Sequence, residues 1–387
     1  MSKKNSVWAA LPVLFGFFVM GFCDIVGISS DYAAEAFGWS PTMAGLIPSI
    51  VFVWFFLFGI PFGILMNRIG RKNMVLLSMG VTVAGMALPL IHYNSVMTIV
   101  AYALLGIGNA ILQVSVNPLL QNVVTDEKLL TSSLTAGQVV KAISSFVGPF
   151  IVLMAINWFG GGDEDKWYLC FPIMGAITLV SGLWILVTPI ERESSQPSST
   201  IGDTLSLLGD KTILLLFLGI FFAVGTDVST NFISSKVMIS RFDFGKEMAG
   251  IAPQVYFVCR TIGAFIGVFL MTKIAELRYF RINIVACLVF TILLAVIENA
   301  VVDFICIGGI GFCCSCVFPI VYAMALKTRP EKANEISGLM IMAVAGGTVS
   351  FLVGAANDWM GIAGGVAVIA IEVLYLTYCA FFVQSKL

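Results

Sequence analysis

Long apolar runs, interrupted by short clusters of charge, Gly, Pro and Asn, dominate this chain. Twelve occur, at roughly 7–30, 41–65, 74–92, 95–122, 131–156, 167–189, 211–235, 248–273, 281–299, 301–326, 335–356 and 362–383. Each is close to the ~20 residues a helix needs to cross the hydrocarbon core of a bilayer. The pattern predicts an all-α membrane protein of twelve transmembrane helices. One gap stands apart, because 189–211 holds Glu191-Arg192-Glu193 followed by a Ser/Gln/Pro run, which is polar linker chemistry. It divides the chain into a six-helix bundle at 1–189, a linker at 190–210 and a second six-helix bundle at 211–387.

Composition agrees. Of 387 residues, 59% are hydrophobic and only 11% charged, against about 25% charged in a soluble protein. Soluble, secreted, nucleic-acid-binding and disordered classes are excluded. A net charge of −1 says little about partners, so the placement of charges carries the argument. With both termini cytoplasmic, fifteen basic residues fall in cytoplasmic loops and tails, against Lys166, Lys236, Arg241 and Lys246 outside. That asymmetry predicts cytoplasmic N- and C-termini. The single histidine, His92, lies in a predicted loop, so a histidine proton relay within the membrane is excluded. The nine cysteines, Cys23 and Cys313-Cys314-x-Cys316 among them, sit mostly in apolar runs without metal-ligand spacing and read as reduced packing residues. No metal and no cofactor is expected. The first apolar run lacks a small-residue cleavage site and reads as a retained helix. The terminal Ser385-Lys386-Leu387 matches a peroxisomal address, and at the end of a membrane span reads as coincidence.

Polar residues inside the spans form the candidate site. Asn109, Gln113 and Asn117 recur every fourth residue and project from one face of the fourth span. Pro118 frees a backbone carbonyl beside them. Asp227 and Asn231 repeat that spacing in the seventh span, with Thr230 and Ser234 nearby, while Gln138 and Lys141 are i, i+3 neighbours in the fifth. Such amides also serve as glue between helices, a reading as good as function for Asn109. Among the ionisable groups within spans, Asp24, Lys141, Asp227 and Arg260 are the four candidates for the site. An unpaired ion costs at least a few kcal/mol there, so each should have a partner or a task. Two salt bridges holding helices in register would account for all four. Glu372, in the last span, reads as a lipid-boundary or packing residue. Trp54, Tyr256 and Tyr322 are candidate platforms for an apolar ring face, although packing or an interfacial belt is the commoner use of an aromatic.

Between the second and third spans the chain reads Gly63-Ile-Leu-Met-Asn67-Arg68-Ile-Gly70-Arg71-Lys72. This resembles the G-x-x-x-D-R-x-G-R-R/K signature of the major facilitator superfamily. Gly63, Asn67, Arg68, Gly70 and Arg71 are the candidate conformational latch. Asn67 replaces the usual aspartate, so the ionic contact expected there is weakened, and Asn67→Asp is expected to over-stabilise the latched state. The equivalent loop of the second half keeps only Gly267 and scattered basic residues.

Within that superfamily the chain looks like the fucose permease branch of sugar:proton symporters. The resemblance rests on Asp24 in Gly21-Phe-Cys-Asp24-Ile, Ala44-Gly45-Leu46-Ile47 and Pro61-Phe-Gly63, and Leu112-Gln113-Val-Ser-Val-Asn117-Pro118. Gln138, Gly225-Thr-Asp227-Val-Ser, Arg260-Thr-Ile-Gly263, Phe318-Pro319-Ile and Gly346-Gly347 extend it over nearly the whole chain. It implies two six-helix bundles and import of a monosaccharide or related sugar by alternating access driven by a cation gradient; the residues leave open a secondary active transporter with Asp24 as the candidate proton carrier or a facilitator. It also implies a transporter, not an enzyme, monomeric in a bacterial inner membrane. Two residues depart from it. Gln113 stands where relatives carry a glutamate and does not titrate, and Lys141 stands where they carry a small polar residue. Lys141 is expected to pair with Asp24 and weaken coupling to protons or sodium.

A sugar needs amides and ionised groups facing its hydroxyls and an aromatic face against its C–H surface. Asp24, Gln113, Asn117, Gln138, Asp227 and Asn231 are therefore expected to line one cavity, with Lys141 among the substrate contacts and Asp24, Lys141 and Arg260 as ion-coupling groups. Two other substrates fit the sequence. One is an anionic sugar derivative or cell-wall fragment clamped by Lys141 and Arg260; the other is a drug carried outward. A membrane-embedded enzyme would need a nucleophile with its base, or a metal cluster, and neither pattern occurs.

Overall fold

The computed structural model describes residues 3–39, 41–124, 126–193 and 199–383. The linker residues 194–198 and the terminal Ser385-Lys386-Leu387 lie outside them. In a bilayer every backbone N–H and C=O must be satisfied within its own segment, and helices do so. Among the described residues there is no strand. Ten helices are long and apolar enough to cross a membrane, and shorter apolar stretches, Trp8–Asp24 and Val53–Ile69, stand at the first two predicted spans.

The first half contains α1 (Lys3–Gly21), α2 (Ile25–Phe37), α3 (Pro41–Ile69), α4 (Arg71–Ile91), α5 (Ser95–Val123), α6 (Glu127–Met154) and α7 (Cys170–Val187). The predicted linker holds the short α8 (Ile201–Ser206). The second half contains α9 (Lys211–Phe242), α10 (Lys246–Ala249), α11 (Ile251–Leu270), α12 (Glu276–Val296), α13 (Ala300–Cys314), α14 (Val317–Thr328), α15 (Ala333–Met342), α16 (Ser350–Met360) and α17 (Ile362–Phe382). Side-chain caps fix several starts. Asn94 accepts from Met97 N at 2.9 Å and Asp210 from Thr212 N at 2.9 Å, while Asn299 accepts from Val301 N and Val302 N.

Three predicted spans are interrupted. The first breaks into a 3₁₀ turn at Phe22–Asp24, the tenth at Ser315-Cys316, and the eleventh passes through a seven-residue 3₁₀ stretch, Ala343–Val349. Hydropathy alone could not show these breaks, since apart from Asp24 the residues within them are apolar or small. Broken helices place unsatisfied backbone groups at membrane depth, where they need protein or substrate partners. The seventh span runs further than predicted, so Arg241 is not a loop residue. It ends α9 and forms a buried pair with Asp303 of α13 at 2.9 Å.

The chain forms two compact units. One comprises Met1–Glu127, Gly137–Thr204 and Glu331–Met342; the other comprises Lys128–Ala136, Leu205–Pro330 and Ala343–Leu387. Chain order alone could not show that α15 belongs to the first unit. Close backbone approach through glycine organises both. In the first unit a β-carbon at Gly21 would lie 2.6 Å from Lys141 O, which seats α1 on α6, and α4 meets α5 at Gly85 and Gly108. In the second, α11 meets α13 at Gly263 and Gly311, and Gly346 leaves no room for a β-carbon against Phe221 O of α9. Small residues at such crossings are what lets membrane helices pack without a hydrophobic driving force.

Candidate functional site

In the first unit the break at Phe22–Asp24 turns Asp24 out of the helix just beyond the Gly21 crossing. Its Oδ2 accepts a hydrogen bond from Ser145 Oγ of α6 at 2.5 Å, and Ser145 also donates to Lys141 O, one turn earlier, at 3.0 Å. The buried Cys23 thiol lies within interaction range of Asp24, Lys141 and Asn109, so α1, α5 and α6 bring these groups together. Lys141 makes no ion pair with Asp24 in this conformation; the hydroxyl of Ser145 occupies that place. Sequence reading passed over Ser145, though its i, i+4 relation to Lys141 was visible.

The amide stripe on α5 is buried, with Asn109, Gln113 and Asn117 all under a tenth exposed. Asn117 Nδ2 spends itself on Gln113 O at 2.7 Å, while Asn117 Oδ1 and Asn109 Oδ1 have no partner among the described residues. Trp54 of α3 meets α5 at Gly106 with the Cδ1–Nε1 edge of its indole, where a β-carbon would come within 2.6 Å of Cδ1. Gly106, Gln113 and Asn117 share one face of α5 by helical period, so the indole adjoins the amide stripe. Its Nε1 is likewise buried without an acceptor. Gln138 is half-buried on α6, one turn before Lys141.

In the second unit Asp227 of α9 is held by two residues of α11. Its Oδ1 accepts from Tyr256 OH at 2.5 Å and pairs with Arg260 Nε at 3.0 Å. The pair is half open to solvent, with side chains 38% exposed for Arg260 and 24% for Asp227. Asn231, one turn on from Asp227, has a buried Nδ2 without an acceptor, and neighbouring Thr230 Oγ1 is also unpartnered. Asn357 Oδ1 of α16 joins the set, a residue that sequence reading did not single out. Tyr256 and Tyr322 are fully buried, so neither presents a ring face here; Tyr256 orients Asp227, and Tyr322 stacks on Phe318 at 5.7 Å.

The predicted latch is a closed hydrogen-bond cluster within the first unit. Asn67 Nδ2 donates to Glu335 Oε1 at 2.9 Å, and Asn334 Nδ2 donates to Asn67 Oδ1 at 2.8 Å. Arg71 donates from Nε to Asn334 Oδ1 at 2.8 Å, and from Nη1 to Pro118 O at 2.9 Å and Asn122 Oδ1 at 2.6 Å. Ser199 also donates to Glu335, and Lys332 stands 3.6 Å from it. Arg68 contributes its carbonyl, which accepts from Arg192 at 2.8 Å, and Gly70 turns the chain at φ +87. Beneath the cluster α3 and α15 touch backbone to backbone: a β-carbon at Gly63 would lie 2.7 Å from Asn334 O, and one at Gly59 2.7 Å from Gly338 O.

No group of three or more His, Cys, Asp or Glu among the described residues could hold a metal ion. Comparison with known proteins supplies the context for these polar faces. The chain is 26% identical over 369 residues to a putative glucose/galactose transporter of Helicobacter pylori, covering 90% of this chain and 88% of that one. It is 24% identical over 379 residues to a glucose/galactose transporter of Brucella abortus, covering 93% and 90%. Among solved structures, FucP in its outward conformation superposes with a TM-score of 0.86 at 18% identity, covering 99% of this chain and 100% of that one. The human organic anion transporter TETRAN superposes at 0.73 with 13% identity, covering 99% and 100%. At these identities the structures speak to the fold alone. The sequence model of the Major Facilitator Superfamily matches residues 11–375, nearly the entire length, and the chain belongs to that superfamily of membrane transporters.

Proposed function

We propose that the protein imports a neutral hexose of the glucose/galactose class by alternating access, with a proton as the coupled ion. The carrying observation is a set of buried polar atoms without partners on the predicted site helices: Asn109 Oδ1, Asn117 Oδ1 and Trp54 Nε1 in the first unit, Thr230 Oγ1 and Asn231 Nδ2 in the second. Buried donors and acceptors are normally satisfied, and a mixed set left open suits the hydroxyls of a sugar, each both donor and acceptor. Trp54 beside the amide stripe supplies an apolar face. Asp24, Gln113 and Gln138 in the first unit, and Asp227 with the paired Arg260 in the second, are the remaining candidate contacts. The names of the Helicobacter and Brucella relatives support the substrate class, and the resemblance of the Asp24 segment to the sugar:proton symporter branch supports a proton over sodium.

Lys141, without an ion pair among the described residues, favours a second reading in which the sugar carries a carboxylate. Arg260 argues against a two-cation clamp, because it is already engaged with Asp227. The working unit proposed is a monomer in a bacterial inner membrane with cytoplasmic termini, the orientation resting on the distribution of basic residues. Uptake of labelled galactose, glucose and galacturonate into proteoliposomes tests the proposal. Saturable entry of either neutral hexose, unaffected by excess galacturonate, is the expected result; entry of galacturonate alone would establish the anionic substrate instead.

A further inference from the structure

Of the two sequence readings of Glu372, lipid boundary or packing, the structure excludes the first. Glu372 is 1% exposed, turned from α17 onto α9. A β-carbon at Gly225 would lie 2.9 Å from its Oε1, so glycine at 225 makes room for the carboxyl. Oε1 accepts one long hydrogen bond, from Ser229 Oγ at 3.3 Å, and Oε2 has no partner among the described residues.

Among the described residues no cation faces this group. From α9 it meets Gly225, Thr226 and Ser229; the Thr226 hydroxyl donates to Phe222 O at 2.9 Å, and Asp227 is engaged by Tyr256 and Arg260. On α12, Arg281 is bound to Ala380 O, two turns along α17. Asp358 of α16 is exposed, and Ala343–Val349 holds no ionisable residue. On α17 itself, Tyr375 donates to Leu215 O at 3.2 Å. A carboxylate in this setting would be an uncompensated ion in the membrane interior, whereas a protonated carboxyl needs little more than it has.

Its location gives the proton a use. The 3₁₀ stretch Ala343–Val349 begins where the chain passes from the first compact unit to the second, after Met342. Gly346 within that stretch presses on Phe221 O, and Gly346 O lies 3.4 Å from the same β-carbon position at Gly225 that Glu372 Oε1 approaches to 2.9 Å. Mid-helix 3₁₀ segments often act as hinges. A movement that lifts this segment from α9 admits water beside Glu372 and lets it ionise.

We propose that Glu372 is a proton-exchanging carboxyl of the transport cycle, protonated while Ala343–Val349 is seated on α9 and released when that segment moves. The proposal rests on the transport reading, which the first measurement checks separately. Wild-type proteoliposomes are assayed for galactose counterflow without a gradient, then for accumulation under an imposed pH gradient. Absence of both counterflow and uptake for every sugar would defeat the transport reading, and with it this proposal. Counterflow without proton-driven accumulation would defeat the proposal and leave the transport reading standing. With both present, Glu372→Gln, which imitates the protonated form, should keep counterflow and lose gradient-driven accumulation by roughly tenfold or more. Infrared difference spectra on adding galactose should show a carboxyl C=O band in the wild type that is absent from Glu372→Gln. Should Glu372→Gln fail to fold, Glu372→Asp serves, with a displaced pH profile of accumulation expected. A Gln variant that accumulates sugar with an unchanged pH profile, or an Asp variant with an undisplaced one, overturns the proposal.

Discussion

The amide of Asn67 donates to the carboxylate of Glu335 at 2.9 Å, with both side chains buried in the first unit. The departure from the superfamily motif is therefore matched across the contact. Where an aspartate would set two carboxylates together, asparagine supplies a donor to Glu335 and an acceptor to Asn334. The weak latch expected from sequence is replaced by a satisfied neutral-to-anionic one.

Asn67→Asp is accordingly expected to loosen the α3–α15 contact rather than tighten it. Like charges at this distance repel, and the donor to Glu335 is lost. Combining it with Glu335→Gln should restore the contact, with a coupling energy of about 0.5 to 3 kcal/mol in a double-mutant cycle on thermal stability. Additive effects would show that the two side chains do not interact.

Arg71→Ala should weaken the same cluster, because it removes donors to Asn334, Pro118 O and Asn122 together. Loss of roughly 1 to 3 kcal/mol is expected. Thermal unfolding of the purified protein would report it as a lowered midpoint; an unchanged midpoint would leave the basic residues with a topogenic role only.

For Asp227, truncating Arg260 and removing the Tyr256 hydroxyl should differ. Tyr256→Phe deletes one hydrogen bond and should lower sugar affinity by no more than about tenfold. Arg260→Ala leaves a partly buried carboxylate without its cation and should cost more, with partial recovery in Arg260→Lys. Equal effects of the two substitutions on the dissociation constant would rule out the ion pair as the dominant contact.

Trp54→Ala removes the proposed ring platform and Gln138→Ala one or two hydrogen bonds. Each net bond is worth about 0.5 to 1.5 kcal/mol, so Gln138→Ala should weaken binding by roughly two- to a hundredfold. Galactose titration by tryptophan fluorescence measures the Gln138 variant, and counterflow kinetics the Trp54 variant. Wild-type affinity in both would place the sugar elsewhere.

Much of this was legible in the chain. Apolar run length found the spans, and the four-residue spacing of Asn109, Gln113 and Asn117 found a buried polar face, because helical period converts directly into facing. What pattern could not reach was contact between segments distant in sequence. Ser145 rather than Lys141 meets Asp24; Glu335, 268 positions from Asn67, completes the latch. Glu372 looked peripheral because outer spans usually are, yet a single missing β-carbon at Gly225 draws it inward. Breaks at Asp24 and at Ala343–Val349 are tertiary choices made by small residues, invisible to hydropathy.

The seam of Gly59, Gly63 and Gly338 sets the character of any opening between α3 and α15. Contacts made by long side chains stretch and re-form as helices slide, so they yield by degrees. Here main chain rests on main chain, and a shift of an ångström forfeits roughly a quarter to a half of the dispersion along the seam and strains the amide cluster above it. Separation at this joint is all-or-none, and intermediate openings should be too sparsely populated to slow the passage between closed and open.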